Sequence, residues 1–551
     1  MAGICVGFAG CAGVPTTGPV QQGEEVEVSG ADTFVRVIAR PPTEGLSPVD
    51  VVRGFLASQS SRENNFAMAR QYLTPDAAAS WNPAGGIEVF DGAGSFDQIA
   101  PTDVSFFAPT YLLIDDLGRP SVPTATTFSV FDFRVEQIDG QWRVNNPPTG
   151  LLISRGDLTR SYRGFALWFP DPTGEVLVPD TTVLPLATGG IATSLTQGLL
   201  VGPSKWLAPA VRSAFPVNTS LSLDAVTVED GVARVPLSSA VLSASERDRK
   251  LLAAQLGKTL SAITGVSSVE VVVGAQLLQL GDWGESVETS EWAQFQASPP
   301  EGDASAIARE KPVVISDGVV RAPTEPLGFA GAKLSAVAPS FDSTVYAGVS
   351  ADRQQLLLGR PGTPRPLRLD FDQLLSSPRF DRFGWVWVVG ARGVWAINSG
   401  ASNPEPKLVG GLPAEVLVSS VVPSIDGVRV LLRAQSETAS FVALAAIRRG
   451  EELELTGLHR IDRDLGSVIS TGWADANRIV ALRETGLDRE AVSFDLLSGQ
   501  TISLGAPPSS STLGASVGRS ILIGSDANEI FQQSSSGWQP VGAATAPIYP
   551  G

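Results

Sequence analysis

The stretch Pro378-Arg-Phe-Asp-Arg-Phe-Gly-Trp-Val-Trp-Val-Val389 places a short turn motif directly before a run of β-prone residues. Weak copies of its first four residues precede other short apolar runs, at Pro339-Ser-Phe-Asp342, Pro423-Ser-Ile-Asp426 and Trp473-Ala-Asp475. The copies recur about every 40–50 residues, which is the period of a four-stranded propeller blade. Residues 311–551 therefore predict a β-propeller of roughly five or six blades, with an irregular β-sandwich as the alternative. We expect each aspartate to accept hydrogen bonds from backbone N–H groups of its turn.

The composition of the whole chain narrows the class of protein. The 551 residues carry a formal net charge of −17, and the sequence pI is about 4.7. An acidic surface repels phosphate backbones, which argues against nucleic-acid binding and against attachment to anionic lipid through basic patches. The length predicts several domains, and the many glycines and prolines favour short strands joined by turns.

Residues 31–150 read as an N-terminal α+β domain. Ser47-Pro48-Val49-Asp50 is a strong helix start, because serine caps the helix and proline fits its first position. A second helical stretch runs to Thr74-Pro75, where we expect it to end. Strand-like segments follow, with period-2 alternation in Thr126–Ile138 and a tight turn at Asp139-Gly140. Helices followed by an antiparallel sheet predict an NTF2-like fold.

Residues 160–285 predict a second small α+β domain. Asp171-Pro-Thr-Gly174 joins two strand-like segments as a hairpin turn. Ser243-Ala-Ser-Glu246 matches a capping box and opens a helix whose leucines recur on one face, at Leu252, Leu256 and Leu260. Residues 286–310 are polar and contain Pro299-Pro300, so we interpret them as a linker to the propeller.

The reactive residues that most catalytic and metal sites need are scarce in this chain. The two cysteines, Cys5 and Cys11, both lie at the N-terminus, and His459 is the single histidine. Zinc sites and Ser-His or Cys-His arrangements need histidine, so a single histidine removes most of this chemistry. We therefore predict a protein that is not an enzyme, with no catalytic, cofactor-binding or metal-binding residues and no cofactor. Many carboxylates are present, so a glycosidase stays open as a minor alternative.

The tryptophans near the middle of the propeller have two interpretations. Trp385 and Trp387 are two residues apart and share one face of a strand, and Trp395 follows on the next strand. Packing between blades is the simpler reading. An exposed aromatic platform for a sugar or a partner protein is the other.

Residues 1–30 predict a signal remnant, a lipobox and a flexible tether. Phe8-Ala-Gly-Cys11 resembles a bacterial lipobox, in which small residues precede a cysteine that is lipidated after cleavage. Phe8 stands where leucine is usual, and no basic region precedes the motif, so we expect the signal peptide to begin upstream. Cys11 is the predicted lipidation site, and two or more acyl chains anchor a protein stably.

Two segments carry a resemblance to known families. Leu199-Leu-Val-Gly-Pro-Ser204 with Val226-Thr-Val-Glu-Asp-Gly231 resembles the GerMN domain of spore-germination and envelope proteins. The order of tether, α+β domain, GerMN domain and propeller resembles the actinobacterial LpqB lipoprotein family, as does Ser47–Leu56. Of the functional residues, only Cys11 carries over.

The resemblance implies a protein at the outer face of the cytoplasmic membrane, anchored there by lipid. It implies a non-catalytic accessory or regulator of a two-component sensor kinase of the MtrA–MtrB type, in envelope homeostasis and cell division. The expected partners are the membrane, a sensor-kinase ectodomain and cell-wall polymer. The alternatives are an envelope hydrolase or binding protein that acts on cell-wall glycan through the propeller, and a carrier of a small apolar ligand in the N-terminal domain.

Overall fold

A computed structural model describes residues 40–123, 127–186, 190–437 and 439–551. Within these ranges an N-terminal α+β domain and a second α+β domain precede a β-propeller, which confirms the predicted multidomain class. Cys11 and the predicted tether lie outside the described residues.

The N-terminal domain begins with three helices, α1 (Pro48–Ser58), α2 (Glu63–Arg70) and α3 (Pro75–Ser80). The predicted start of α1 is confirmed, because the Ser47 hydroxyl accepts a hydrogen bond from the Asp50 N–H at 3.2 Å. Thr74-Pro75 begins α3 rather than ending a helix, because the Thr74 hydroxyl accepts from the Ala77 N–H at 3.3 Å. The predicted second helix ends earlier, at Arg70, so the prediction that it ends at Thr74-Pro75 is wrong.

A seven-stranded sheet packs against these helices. Its strands are β1 (Ile87–Phe90), β2 (Ser95–Ala100), β3 (Asp103–Ile114), β4 (Pro120–Ser121), β5 (Phe128–Ile138), β6 (Gln141–Val144) and β7 (Leu151–Ser154). The main path is β6-β5-β3-β1-β7, with β2 and β4 pairing β3. β1 and β7 run parallel, so the sheet is mixed and the predicted antiparallel sheet is wrong at this edge. Phe55 and Phe106 are fully buried between sheet and helices.

The second domain follows after a short helix, α4 (Arg155–Ser161). Its elements are β8 (Tyr162–Pro170), β9 (Leu177–Pro185), α5 (Ile191–Val201), β10 (Thr227–Glu229), β11 (Val232–Pro236), α6 (Glu246–Leu260), β12 (Ser268–Val273), β13 (Gln276–Leu277) and β14 (Ser286–Glu288). The predicted leucine face of α6 is buried. The residue that caps α6 is Ser245, whose hydroxyl accepts from the Asp248 N–H at 3.1 Å, so the predicted box of Ser243 and Glu246 is displaced by two residues.

Residues 286–310, interpreted from sequence as a linker, hold ordered elements. β14 pairs with β12 in the sheet of the second domain, and a 3₁₀-helix, Thr289–Phe295, packs on α6. The first propeller strand begins at Ala304. Few residues are therefore left to separate the two domains.

The propeller consists of six four-stranded blades within the described residues. They are blade 1, β15 (Ala304–Ala308), β16 (Lys311–Ser316), β17 (Val319–Arg321); blade 2, β18 (Leu334–Pro339), β19 (Tyr346–Ser350), β20 (Gln355–Gly359), β21 (Leu367–Asp370); blade 3, β22 (Arg379–Phe380), β23 (Trp385–Gly390), β24 (Gly393–Asn398), β25 (Lys407–Leu408); blade 4, β26 (Leu417–Pro423), β27 (Arg429–Gln435), β28 (Ser440–Arg449), β29 (Leu453–Arg460); blade 5, β30 (Ser467–Trp473), β31 (Arg478–Thr485), β32 (Asp488–Asp495), β33 (Thr501–Gly505); and blade 6, β34 (Ser510–Gly514), β35 (Leu522–Ser525), β36 (Ile530–Ser534), β37 (Gly537–Gly542).

The last strand closes the propeller. β38 (Thr545–Ile548) pairs antiparallel with β15 and supplies the innermost strand of blade 1. Each innermost strand contacts the innermost strand of the next blade, from β18 around to β38, so the ring is complete. Such closure joins the two ends of the propeller and leaves no open edge between its first and last blades.

Candidate functional site

The ends of the six innermost strands form a cup on the propeller axis. Every blade contributes the residues that end or follow its innermost strand, among them Phe341, Arg382, Ser424, Ser516 and Pro550. The enclosed part of this cup, the channel mouth, is only about 20 Å³. That is room for one or two waters, far below the roughly 300–1,000 Å³ of most small-molecule pockets.

The aspartates of the sequence repeat lie in the turns next to this mouth. Asp342 accepts from the Thr344 N–H at 3.1 Å, and Asp426 accepts from the Val428 and Arg429 N–H groups. Asp475 likewise accepts from the backbone two residues on. The predicted role of these aspartates in capping turns is therefore confirmed.

Asp381 is the fourth residue of its copy of the motif, as Asp342 and Asp426 are of theirs, and it is fully buried. One carboxylate oxygen accepts from the Phe383 and Trp385 N–H groups at 2.9 and 3.1 Å. The other accepts from the Trp387 indole N–H at 2.8 Å and from the Arg449 guanidinium at 2.6 Å. Because both oxygens are occupied, Asp381 holds blade 3 together and is not free to transfer protons in the mouth.

Arg449 bonds to Asp381, and two further arginines, Arg382 and Arg379, lie one and two residues from it in the chain. Arg449 and Arg382 lie 4.5 and 5.0 Å from the centroid of the Phe383 ring. The Arg382 guanidinium also reaches the Glu175 carboxylate of the second domain at 3.2 Å. Arg379 lies two residues before Asp381 on β22 and pairs with Trp387 across the sheet, and burial lowers the pKa of Arg379 to about 10. This set of side chains, Arg379, Arg382 and Arg449, is the arginine cluster.

The tryptophans predicted to share a face pack between blades. Trp387 is fully buried, and Trp385 packs against the same hydrophobic cluster of blades 3 and 4. Trp395 lies across the blade, against Phe371 with ring centroids 5.6 Å apart. The packing interpretation therefore holds for all three residues.

His459 lies where the second domain meets the propeller, in the junction that we call the Trp206 junction. Its ring stacks on that of Trp206 with centroids 5.3 Å apart and an angle of 11° between the planes. Burial lowers the pKa of His459 to about 4, since the charged imidazolium loses water there. A Cβ on Gly457, which has a φ of +67°, would collide with the Trp206 carbonyl oxygen. Val428 and Ala446 of the propeller join the core of the second domain.

The N-terminal domain meets the propeller at a second, polar junction, the Asp464 junction. The Tyr111 hydroxyl donates to the Asp464 carboxylate at 2.6 Å, and the Arg155 guanidinium donates to both of its oxygens at 3.0 and 2.8 Å. Arg463 donates to the Thr110 carbonyl oxygen. Burial and the Asp464 carboxylate raise the pKa of Tyr111. Sequence reasoning missed this set, because Arg155 and Asp464 are far apart in the chain and match no motif.

A buried ion pair links the two α+β domains. The Arg119 guanidinium donates to the Asp180 carboxylate at 3.0 Å and to the Gly202 carbonyl oxygen at 2.7 Å. Asp180 also accepts from the Ser204 N–H and hydroxyl. Burial raises the pKa of Asp180, although Arg119 and Ser204 oppose that shift. All three domains are thus joined pairwise by specific contacts.

One face of the N-terminal sheet is apolar and exposed. Phe107 of β3 and Phe128 of β5 stack with ring centroids 4.7 Å apart, and Val130 lies beside them. Their exposed fractions are 45%, 48% and 55%. We call these three residues the Phe107 patch. Exposed apolar clusters of this kind are typical of interaction surfaces.

The described ranges contain neither a cluster of metal-ligating side chains nor a helix that could span a membrane. No three His, Cys, Asp or Glu side chains in these ranges are placed to hold a metal ion. In the same ranges, no helix is both long enough and apolar enough to cross a bilayer.

Comparison with known proteins gives consistent results along the chain. The family model for the N-terminal domain of lipoprotein LpqB matches residues 41–159, and the model for the LpqB β-propeller domain matches residues 313–550. The Germane model, described as sporulation and spore germination, matches residues 166–278 between them.

Two relatives are both named lipoprotein LpqB. The protein from Cutibacterium acnes is 30% identical over 85% of this chain and 79% of its own length. The protein from Thermobifida fusca is 27% identical over 100% of this chain and 97% of its own length. Among solved structures, TolB from Acinetobacter baumannii is 13% identical, with a TM-score of 0.34 over 53% of this chain and 84% of that one.

Proposed function

Because the chain belongs to the LpqB lipoprotein family, we propose that it is a lipid-anchored protein at the outer face of the cytoplasmic membrane. Its role is that of a non-catalytic accessory to a two-component sensor kinase of the MtrA–MtrB type, in envelope homeostasis and cell division. The anchor is the diacylglyceryl and N-acyl modification of Cys11.

The form of the channel mouth is the observation that supports binding over catalysis. A cup with about 20 Å³ of enclosed space is too small for a sugar ring in a catalytic pose. A glycosidase needs two carboxyl groups about 5–10 Å apart that can exchange protons or attack. Asp381, which lines the mouth, accepts four hydrogen bonds with its two oxygens. The mouth therefore favours an accessory protein over the alternative, a wall hydrolase that acts through the propeller.

A regulator that works by binding must prefer one state of its partner. A ligand shifts a conformational equilibrium only by its difference in affinity for the two states. A chain whose domains are joined by specific contacts can offer surfaces of several domains to a kinase ectodomain in a fixed arrangement. The Phe107 patch is the first surface to test, because its aromatic side chains are exposed without a structural need.

The anchor is tested by the variant Cys11→Ala. We expect radiolabelled palmitate to enter the wild-type protein only, and the variant to leave the membrane fraction, because no acyl chain then holds it. Membrane fractionation and autoradiography measure both effects, with Cys5→Ala as the matched control that keeps its label. Equal labelling of the Cys11 and Cys5 variants would rule out Cys11 as the site.

The partner is tested by covalent cross-linking and pull-down of the anchored protein in its native cells. We expect a sensor-kinase ectodomain to be recovered with the wild type and to be lost with Cys11→Ala. The double variant F107S/F128S should reduce recovery while the protein stays folded. Leu487→Ser is the control, because Leu487 is fully exposed on the propeller and should have no effect. Recovery of glycan fragments alone would favour the wall-acting alternative.

A further inference from the structure

The arginine cluster has hydrogen-bond donors that the described residues do not use. Buried guanidinium nitrogens without a hydrogen-bond partner among those residues are Arg379 Nη1, Arg382 Nη1, Arg449 Nε and Arg449 Nη1. Unpaired buried donors are costly, and a native protein usually satisfies them with water or an ion. Four such donors on these three cations can therefore be satisfied by water or by an anion.

Two of the three arginines, Arg382 and Arg449, converge on one region of the propeller. Arg382 and Arg449 both lie against the Phe383 ring, and the Arg449 guanidinium also donates to the Gly427 carbonyl oxygen. A Cβ on Gly427 would lie 2.6 Å from Arg382 Cγ, so both arginines lie close to Gly427. Arg379 pairs across the sheet with Trp387, whose indole N–H donates to Asp381, so its backbone lies next to the same buried residue.

The charges in this region do not cancel. Among the described residues, Asp381 pairs with Arg449 and Glu175 pairs with Arg382, so two carboxylates stand against the three guanidinium groups of the cluster. Asp381 is fully occupied, whereas Glu175 is 62% exposed and makes a single contact of 3.2 Å with Arg382. In a chain with a net charge of −17, a local excess of cations with free donors is selective for a compact anion.

We propose that the arginine cluster at the channel mouth binds an oxyanion group, a phosphate or a carboxylate. Arg382 is the member of the cluster that lines the mouth, where it is open to an entering anion. Guanidinium groups match the oxygens of such anions with paired N–H donors. Because the enclosed volume is small, the oxyanion group would lie in the open part of the mouth beside Arg382, and the rest of a larger ligand would extend over the rim. The same group is available on a free small ion and on an anionic cell-wall polymer.

The site is tested by isothermal titration calorimetry, in which inorganic phosphate is added to the full chain at constant ionic strength. We expect saturable binding that Arg382→Gln weakens about tenfold, since one charge-assisted pair is lost. Arg392→Gln is the matched control, because Arg392 is on the same blade but pairs with Asp372 at an exposed position. Glu175→Gln should have the opposite effect and strengthen binding about threefold, because it removes the carboxylate that competes for Arg382.

Two outcomes would overturn the site. One is an absence of saturable binding to the wild type. The other is equal weakening by Arg382→Gln and Arg392→Gln, which would mean that phosphate binds to the surface without selectivity. If Arg382→Gln fails to fold, Glu175→Gln still tests the site. An affinity for phosphate equal to that of the wild type in Glu175→Gln would also contradict the proposal.

A second titration identifies the source of the anion. A glycerol-phosphate polymer is titrated in the same way. If each polymer molecule binds at least tenfold more tightly than free phosphate, and Arg382→Gln weakens that binding, the site is assigned to wall polymer. Equal affinity per phosphate would assign it to a small ion. A neutral glycan of the same length controls for contacts with sugar.

Discussion

The two junctions that join the propeller to the rest of the chain are built differently. At the Trp206 junction, the backbone of Gly457 lies against the backbone of Trp206, and Val428 and Ala446 of the propeller belong to the core of the second domain. At the Asp464 junction, one carboxylate with 19% of its side chain exposed accepts hydrogen bonds from Tyr111 and Arg155. Close apolar packing resists separation more than partly exposed polar contacts do. We infer that the second domain resists separation from the propeller, and that the N-terminal domain separates from the propeller more easily.

The largest effect is expected from Gly457→Val at the Trp206 junction. The new side chain would meet the Trp206 backbone and would also strain a φ of +67°, which together cost about 3 kcal/mol or more of unfolding free energy. Denaturant unfolding measures the loss.

Gly466→Val separates the two causes. Gly466 has a φ of +66°, and a Cβ added there would meet no described atom within 4 Å, so this variant carries the strain alone. We expect it to cost about 1 kcal/mol. Equal losses in both variants would mean that the Trp206 backbone does not press on Gly457.

A smaller effect is expected from Asp464→Asn at the Asp464 junction. The substitution removes the charge that Arg155 pairs with and weakens the acceptor of the Tyr111 hydroxyl, at a cost of about 2 kcal/mol. Hydrogen exchange should speed up in β3 and α4 while the Trp206 junction keeps its protection. Asp526→Asn, which breaks a pair at an exposed carboxylate, is the control and should change little. Faster exchange in both junctions would contradict their independence.

The smallest effect is the pH dependence that His459 gives to the Trp206 junction. Its pKa falls from 6.5 to about 4 on folding, so its contribution is fully present above pH 6.5 and is lost as the pH falls towards 4. Between pH 7 and 5.5 we expect a loss of about 1 kcal/mol. Unfolding of the wild type and of His459→Gln at both pH values measures it. The same pH slope in the variant would show that another group is responsible.

Local patterns in the sequence predict much of this fold. Ser47-Pro48 predicts a helix start because capping depends on neighbouring residues only. The aspartate repeat predicts the blades, because each copy performs the same local task. Thr74-Pro75 is ambiguous because a proline is found both after a helix and at its first position. The parallel pairing of β1 with β7 leaves no local signal, since it depends on contacts between distant segments.

The candidate sites are less predictable than the fold. Asp464 and Arg155 are 309 residues apart, and only the folded chain brings them together. The arginine cluster forms because Asp381 is buried in blade 3 and because the end of β28 brings Arg449 next to it. The spacing of these residues in the sequence indicates neither contact. The packing role of Trp387 is predictable, because two tryptophans on one strand face fit the interface between blades.

The most direct test of the proposed function is reconstitution of the purified chain with a candidate sensor kinase in lipid nanodiscs. A non-catalytic accessory predicts saturable binding and a change in the rate of kinase autophosphorylation, which F107S/F128S reduces and Leu487→Ser does not. Binding without any change in rate, or no binding together with release of fragments from purified cell wall, would contradict the proposal of a non-catalytic kinase accessory.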